Sequence, residues 1–314
     1  MSEGPYDVLI IGGGPAGLTA GLYASRAKLK TLLVERMILG GQVMTTTKVE
    51  NYPGFPGGID GPDLMMRFQE HCHEFGLETV TGEVTGLVDK GREKIVTVDG
   101  KEIRTRAVIV TTGAEPSKLG VPGEVEFTGR GVSYCATCDG AFFRNVPVAI
   151  VGGGDTAAEE ALFLCRFASK VYLIHRRDEL RATKVLQDRI FANDKIEPVW
   201  NSTVEQVDGD NTGVTSLVLR NRLDDSQQTL ETVGMFVAVG VTPKAHFLAN
   251  ILELNPDGYI LTDSDCRTSM PGVFAAGDVR KKILKQIATA VGDGAIAAIV
   301  AEKYLDNMES PTGF

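Results

Sequence analysis

Two cysteines separated by two small residues, Cys135-Ala136-Thr137-Cys138, stand in the segment VSYCATCDGAFF, and an acid, Asp139, follows at once. That spacing suits half of a zinc site, a structural disulfide, or a redox couple that opens and closes. The remaining cysteines narrow the choice. There are five in all; Cys72, Cys165 and Cys266 are isolated, and no second CxxC exists. Zinc takes about four ligands, so the missing half-site argues against metal. The triplet His71-Cys72-His73 lies in a stretch with a helical pattern, DLMMRFQEHCHEFG. Adjacent helical positions point in different directions, which argues against a shared ion there. An odd count with one close pair is not an export disulfide framework. In a reducing compartment a lone CxxC suggests metal or redox chemistry.

Chemistry of either kind needs a scaffold, and the chain is long enough for one. It has 314 residues, 43% hydrophobic and 23% charged, the balance of an ordinary globular protein. Its formal charge of -9 argues against a nucleic-acid partner, whose binding surface is usually basic. No apolar run approaches the roughly 18–20 residues that span a bilayer, so no membrane partner is expected. The start, MSEGPYDVLIIGGG, has no basic leader segment and runs straight into a strand. A cytoplasmic location is the default expectation. The end, MESPTGF, reads as a loose tail.

Glycine is abundant, with 36 residues, and two clusters are placed with purpose. The apolar strand YDVLII is followed by GGGPAGLTAGLYASRA, with Gly12, Gly14 and Gly17 in a GxGxxG turn that opens a helix. Gly12 allows the tight turn, Gly14 lets backbone reach a pyrophosphate, and Gly17 lets helix pack on strand. The next strand, KTLLVE, ends at Glu35, where a ribose hydroxyl would need an acceptor. The pattern then repeats in VPVAIVGGGDTAAEEALFLCRFA, with Gly152, Gly154 and Ala157 in the glycine positions. Here the strand KVYLI leads into His175, Arg176 and Arg177, with Arg181 shortly after, in place of the acid. A basic cluster at that address pairs with a 2′-phosphate. The first half therefore suits FAD or NAD, and the second suits NADP. Two nicotinamide sites would leave the hydride without a different acceptor, so FAD with NADPH is the sensible pair.

A third segment fits the same picture. MPGVFAAGDV is an apolar strand running to Gly277 and Asp278, a place where backbone can approach a sugar chain and one carboxylate can meet its hydroxyls. KQIATAVGDGAIAAIVAEKYLDN then reads as a helix beginning near Gln286, whose N-terminus would favour negative charge. The expected fold class is α/β, with two Rossmann-like dinucleotide-binding domains, the NADP domain inserted into the FAD domain. The expected boundaries are 1–116 for the first FAD segment, 117–243 for the NADP domain carrying the CxxC, and 244–314 for the second FAD segment. The first segment ends near a strand that closes on Gly113.

Taken together these motifs resemble the bacterial-type low-molecular-weight thioredoxin reductases. The segments that carry the resemblance are GGGPAG (12–17), GGQVMTTTKVENYPGFP (40–56), YCATCDG (134–140), GGGDTAAEEA (152–161), HRRDELRA (175–182), FVAVGVTP (236–243), GVFAAGDVR (272–280) and QIATAVGDGAIAA (286–298). They span nearly the whole chain. Relatives of the glutathione reductase type carry their cysteines just after the first glycine turn, where this chain has GGQVMTTT.

The resemblance implies roles. Gly12, Gly14, Gly17, Glu35, Gln42, Asn51, Gly113, Gly277, Asp278, Gln286 and Ile287 would line the FAD site. Gly154, His175, Arg176, Arg177 and Arg181 would bind NADPH. Cys135 and Cys138 would be the redox disulfide, Cys138 nearest the flavin and Cys135 attacking the protein substrate, with Asp139 as general acid–base. The implied activity is NADPH-dependent thioredoxin-disulfide reduction, with thioredoxin or a thioredoxin-like protein as partner and a homodimer as the assembly.

Two positions depart from the commoner pattern: Lys285 stands where Arg is usual, and Thr111 where Ala is commoner. A ferredoxin-driven branch lacks a working pyridine-nucleotide site, and the intact basic cluster argues against it. The competing readings are an NADPH-dependent flavoprotein with a non-disulfide acceptor such as ferredoxin, and a redox-silent NADPH sensor. Because flavin, nicotinamide and protein partner cannot share one face, a moving inserted domain is expected, with Gly113, Gly120 and Gly240 at its crossings.

Overall fold

The computed structural model describes residues 5–46 and 48–309; the loose tail expected at the C-terminus lies mostly outside them. The chain divides into two compact units, one built from the residues up to Glu115 and from Thr242 onward, the other from Pro116–Val241. Each is α/β, and the second is inserted between the two segments of the first.

The outer unit is built on a seven-stranded sheet. Its order is Glu78–Thr81, Thr31–Glu35, Tyr6–Ile11, Lys101–Val110, Lys94–Val98 and Val84–Asp89, with Val273–Ala275 also pairing to Lys101–Val110. The strands around Tyr6–Ile11 are parallel and the Lys94–Val98 and Val84–Asp89 pairings are antiparallel. YDVLII is buried almost throughout, as a central parallel strand covered on both faces must be. The helix Pro15–Arg26 begins at Gly14, with Pro15 in its first turn, where a missing N–H costs nothing. It packs against the long helix Ile287–Glu309. That helix starts one residue after Gln286.

The inserted unit repeats the plan. Its five-stranded parallel sheet has the order Ile196–Val199, Lys170–Ile174, Pro147–Val151, Met235–Val237, Val132–Ser133. A three-stranded antiparallel sheet, Ser202–Asp210, Gly213–Asn221 and Gln227–Glu231, completes it. The helix Asp155–Leu164 follows the second glycine turn. The crossings Ala114–Pro116 and Val241–Pro243 pair as a two-stranded ribbon. Among the described residues no helix is long and apolar enough to cross a membrane.

The first glycine turn shows why its residues cannot vary. Gly12 sits at φ +107°, and a Cβ there would lie 2.5 Å from the Thr111 carbonyl oxygen. A Cβ on Gly17 would lie 1.9 Å from the Gly12 carbonyl oxygen. Helix and strand therefore meet with no side chain between them. Gly17→Ala is expected to lower stability by about 1–3 kcal/mol through overpacking, read as a lower denaturant midpoint. An unchanged midpoint would show that the turn can yield.

Candidate active site

The redox segment begins on the short strand Val132–Ser133 and turns into a four-residue helix, Ala136–Asp139. Cys135 caps that helix, with its Sγ accepting from the Cys138 N–H at 3.2 Å and its carbonyl accepting from the Asp139 N–H at 3.1 Å. Cys135 and Cys138 form a disulfide across a Cα–Cα distance of 5.3 Å, within the ordinary range for such a bridge. Asp139 turns its carboxylate onto Ser133, whose hydroxyl donates to Oδ2 at 2.6 Å and accepts from the Cys135 N–H at 3.1 Å. Burial holds the Asp139 carboxyl above the usual carboxylate range, and the Ser133 hydrogen bond offsets this in part. Tyr134 is tied at 3.0 Å to Glu124, a fully buried carboxylate that also accepts from the backbone N–H groups of Leu119 and Gly120. Burial, then the Glu124 carboxylate, pushes the Tyr134 phenol up to about 12.

The other three cysteines are free and stand apart from this chemistry. Cys72 is buried with its thiol donating to the Leu18 carbonyl, and burial pushes it up to about 12. Cys266 is pushed up to about 11, again chiefly by burial. Thiols held so far from ionisation at neutral pH are poor nucleophiles.

In the outer unit, Glu35 ends its strand with its carboxylate accepting from the Gly13 N–H at 2.7 Å and the Met37 N–H at 3.0 Å. Gly14 is open, since a Cβ there would meet nothing within 4 Å. The Thr111 hydroxyl lies 2.9 Å from the Ile11 carbonyl and 2.8 Å from the Gly12 carbonyl, so this departure from the commoner Ala adds a clasp to the turn. Gln42 donates through its side-chain amide to the Ala114 carbonyl, and the Asn51 amide donates to the Gln286 side-chain oxygen at 3.0 Å. Thus Asn51 and Gln286, 235 positions apart, meet directly, and Ile287 opens the helix beside them. Gly113 and Gly277 both hold positive φ, 72° and 77°. Asp278 Oδ1 is buried and accepts no hydrogen bond, although Lys282 Nζ stands 3.5 Å away. Burial raises the Asp278 carboxyl.

Residues that sequence reasoning passed over support this corner. Asp293, from within the apolar helix, accepts from the Gly277 N–H at 3.0 Å and pairs with Arg280 at 3.0 Å and Lys282 at 3.1 Å. A charged residue in ATAVGDGAIAA was the available signal. Lys285 places its ammonium 4.1 Å from the centroid of the Tyr259 ring, a contact that a flexible stem makes as readily as a planar guanidinium.

In the inserted unit, a Cβ on Gly152 would lie 2.5 Å from the Ala238 carbonyl oxygen, whereas Gly154 is open. Arg176, Arg177 and Arg181 are exposed, and no ion pair involves them among the described residues. His175 differs from them. It is 5% exposed, lies under Gly153 closely enough that a Cβ there would strike the ring at 2.2 Å, and leaves Nε2 without a hydrogen-bond partner. Burial, then the charges of Arg181, Arg177 and Arg176, lower its pKa, so the ring favours the neutral form.

Both cradles fit a dinucleotide. Each has an open glycine at a helix N-terminus, and each has a buried polar atom that makes no hydrogen bond, Asp278 Oδ1, which has only the Lys282 ammonium near it, or His175 Nε2.

This fold and site define a class. Residues 6–294 match the pyridine nucleotide-disulphide oxidoreductase family, and the chain belongs to it. It is 49% identical to a thioredoxin reductase of Listeria monocytogenes, over 97% of this chain and 95% of that one. It is 47% identical to the thioredoxin reductase of Bacillus subtilis, over 97% and 96% respectively. Among solved structures, the thioredoxin reductase of Streptococcus pyogenes matches with a TM-score of 0.94 at 45% identity, covering 98% of this chain and all of that one (100%). The expected fold class, one Rossmann-like unit inserted in another, stands.

Asp293→Ala would leave Lys282 and Arg280 beside one another without their shared carboxylate. Breaking such a buried pair is expected to cost roughly 3–5 kcal/mol, seen as a lower unfolding midpoint together with weaker retention of FAD. Unchanged stability and unchanged FAD content would show that the network is incidental.

Proposed function

We propose that this chain is an NADPH-dependent thioredoxin-disulfide reductase, carrying electrons through FAD and the Cys135–Cys138 disulfide to a thioredoxin or thioredoxin-like protein. The observation that carries the reading is the redox turn itself. The chain's one CxxC is closed as a disulfide, capped on a helix and flanked by a half-buried carboxyl with a raised pKa.

FAD, when bound, supplies a two-electron carrier between NADPH and the disulfide. Gly12, Gly14 and Gly17 would admit its pyrophosphate and Glu35 its ribose. Gln42, Asn51, Gly113, Gly277, Asp278, Gln286 and Ile287 would line the rest. Gly154 would admit the NADPH pyrophosphate, and Arg176, Arg177 and Arg181 would hold the 2′-phosphate, with His175 beneath them as a neutral ring.

Opening the Cys135–Cys138 bond takes two electrons and two protons. Asp139, which keeps its proton to higher pH than an ordinary carboxyl, can deliver one to a thiolate and take it back. Cys135 as thiolate then attacks the partner's disulfide, one partner sulfur leaves as a thiolate, and Cys138 displaces the partner from the mixed disulfide. The bond closes again and the partner departs as a dithiol. Gly113, Gly120 and Gly240, at φ 72°, 77° and 137°, are where we place the backbone change between half-reactions. A homodimer is part of the same reading, supported by the family resemblance, and a cytoplasmic location is kept as the default; sedimentation at micromolar concentration tests the dimer.

Cys138→Ser tests the redox assignment. The variant should retain FAD, let NADPH bleach the flavin, and fail to reduce thioredoxin. Normal turnover with thioredoxin would overturn the role given to this pair, and would favour an acceptor that needs no disulfide.

Replacing both Arg176 and Arg177 by uncharged residues tests the nucleotide site. Each lost charge-assisted hydrogen bond is worth about 1.5–3 kcal/mol. The KM for NADPH should therefore rise by about tenfold or more, while that for NADH barely moves. Equal losses for the two nucleotides would assign the arginines to structure.

A further inference from the structure

The redox turn packs against the helix Asp155–Leu164, and Glu160 on that helix accepts from the Ala136 N–H at 3.4 Å. Ala136 is fully buried and is the residue next after Cys135, so the contact reaches the backbone between the two sulfurs. Among the described residues, Glu160 accepts no other hydrogen bond and pairs with no cation. A half-buried carboxylate with so little compensation holds its proton more tightly than an exposed one. Burial is the main cause, and the neighbouring Glu159 adds to it; Glu160 is pushed up to about 7.

The titratable and charged groups on the elements packed most closely against that helix are these. Cys135, Cys138 and Asp139 belong to the redox turn, and Asp155 and Glu159 to the helix itself. Lys184, Asp188 and Arg189 stand on the helix Lys184–Phe191, and Lys170 and Tyr172 on the strand Lys170–Ile174. The strand Pro147–Val151 and the turn Gly140–Phe142 carry none.

We propose that Glu160 is a positioning residue for the redox couple: through the Ala136 N–H, the charge on its carboxyl is linked to the thiol–thiolate balance of the opened Cys135–Cys138 pair. This rests on the reading that the pair opens in turnover. An ionised Glu160 draws the Ala136 N–H toward itself and repels a thiolate in the same turn. A neutral Glu160 does neither. Linkage is reciprocal, so opening the disulfide to a thiolate must in turn raise the proton affinity of Glu160.

The test uses the whole chain with its FAD, reduced by a phosphine so that no nucleotide is needed. Alkylation of Cys135 by iodoacetamide is followed by peptide mass mapping against pH, for the native chain, E160Q and E160D. E160Q should match the native rate at about pH 6 and exceed it by about two- to fivefold near pH 8. E160D should restore the native profile. Superimposable profiles for all three, or a constant offset at every pH, would overturn the proposal, the latter by showing a purely structural role. Should E160Q not fold, the native protein decides. The amide shift of Ala136 should titrate near pH 7, and its midpoint should move upward when the disulfide is opened; a midpoint that stays put overturns the linkage. If NADPH fails to drive thioredoxin reduction, the proposed function falls while this profile still stands or falls alone.

Discussion

A backbone that must lie against phosphate has no room for side chains, and both halves of this molecule are arranged around that exclusion. In the outer unit a Cβ on Gly17 would sit 1.9 Å from a carbonyl oxygen, so helix, turn and strand interlock through bare backbone. The inserted unit repeats the device at Gly152, where a Cβ would lie 2.5 Å from the Ala238 carbonyl. Gly14 and Gly154 are different, because each faces open space at a helix N-terminus. In the first motif Gly12 and Gly17 are thus needed by the protein's own packing and Gly14 is not; in the second Gly152 is needed, Gly154 is not, and Ala157 holds the third place. Glu35 and Asp278 in one unit, and the exposed Arg176 and Arg177 in the other, each stand at or within a few residues of the end of a strand of their own unit's sheet.

The redox turn works in the opposite electrostatic sense from many reactive cysteine sites. Its near neighbours are carboxyls: Asp139 on the turn, Glu160 beneath it and Glu124 behind Tyr134. Burial raises Asp139 and Glu160 alike, so both carry less negative charge beside the two sulfurs than exposed carboxyls would. Ser133 holds the arrangement together with a single hydroxyl, accepting from the Cys135 N–H and donating to Asp139. The Asp139 carboxylate and the Cys135 backbone are therefore held by the same hydroxyl.

Much of this was legible in the sequence because the signals are local. YDVLII, the two glycine turns, the acid at Glu35, the basic run from His175 and the CxxC all lie within short stretches that announce their own geometry. The rest depends on pairs far apart in the chain. Asn51 meets Gln286, and Asp293 gathers Gly277, Arg280 and Lys282, and neither follows from any spacing. Thr111 reads in sequence only as a departure from the commoner Ala, whereas in the fold its hydroxyl clasps the first turn. His175 reads in sequence as one more cation of the nucleotide cluster, whereas in the fold it is a buried ring beneath Gly153. Burial decides that difference, and burial is a property of the packed unit.

The central claim is that Cys135 passes electrons to a partner's disulfide while Cys138 closes the couple behind it. A thioredoxin lacking its own resolving cysteine, its remaining cysteine activated as a mixed disulfide with thionitrobenzoate, should be trapped on the reduced Cys138→Ser chain, the Cys135 thiolate displacing thionitrobenzoate. Mass mapping of the trapped complex is the most direct measurement. A bond from the partner's remaining cysteine to Cys135 is the result required; a bond to Cys165, no covalent complex at all, or equally fast trapping on a Cys135→Ser chain through Cys138 would contradict it.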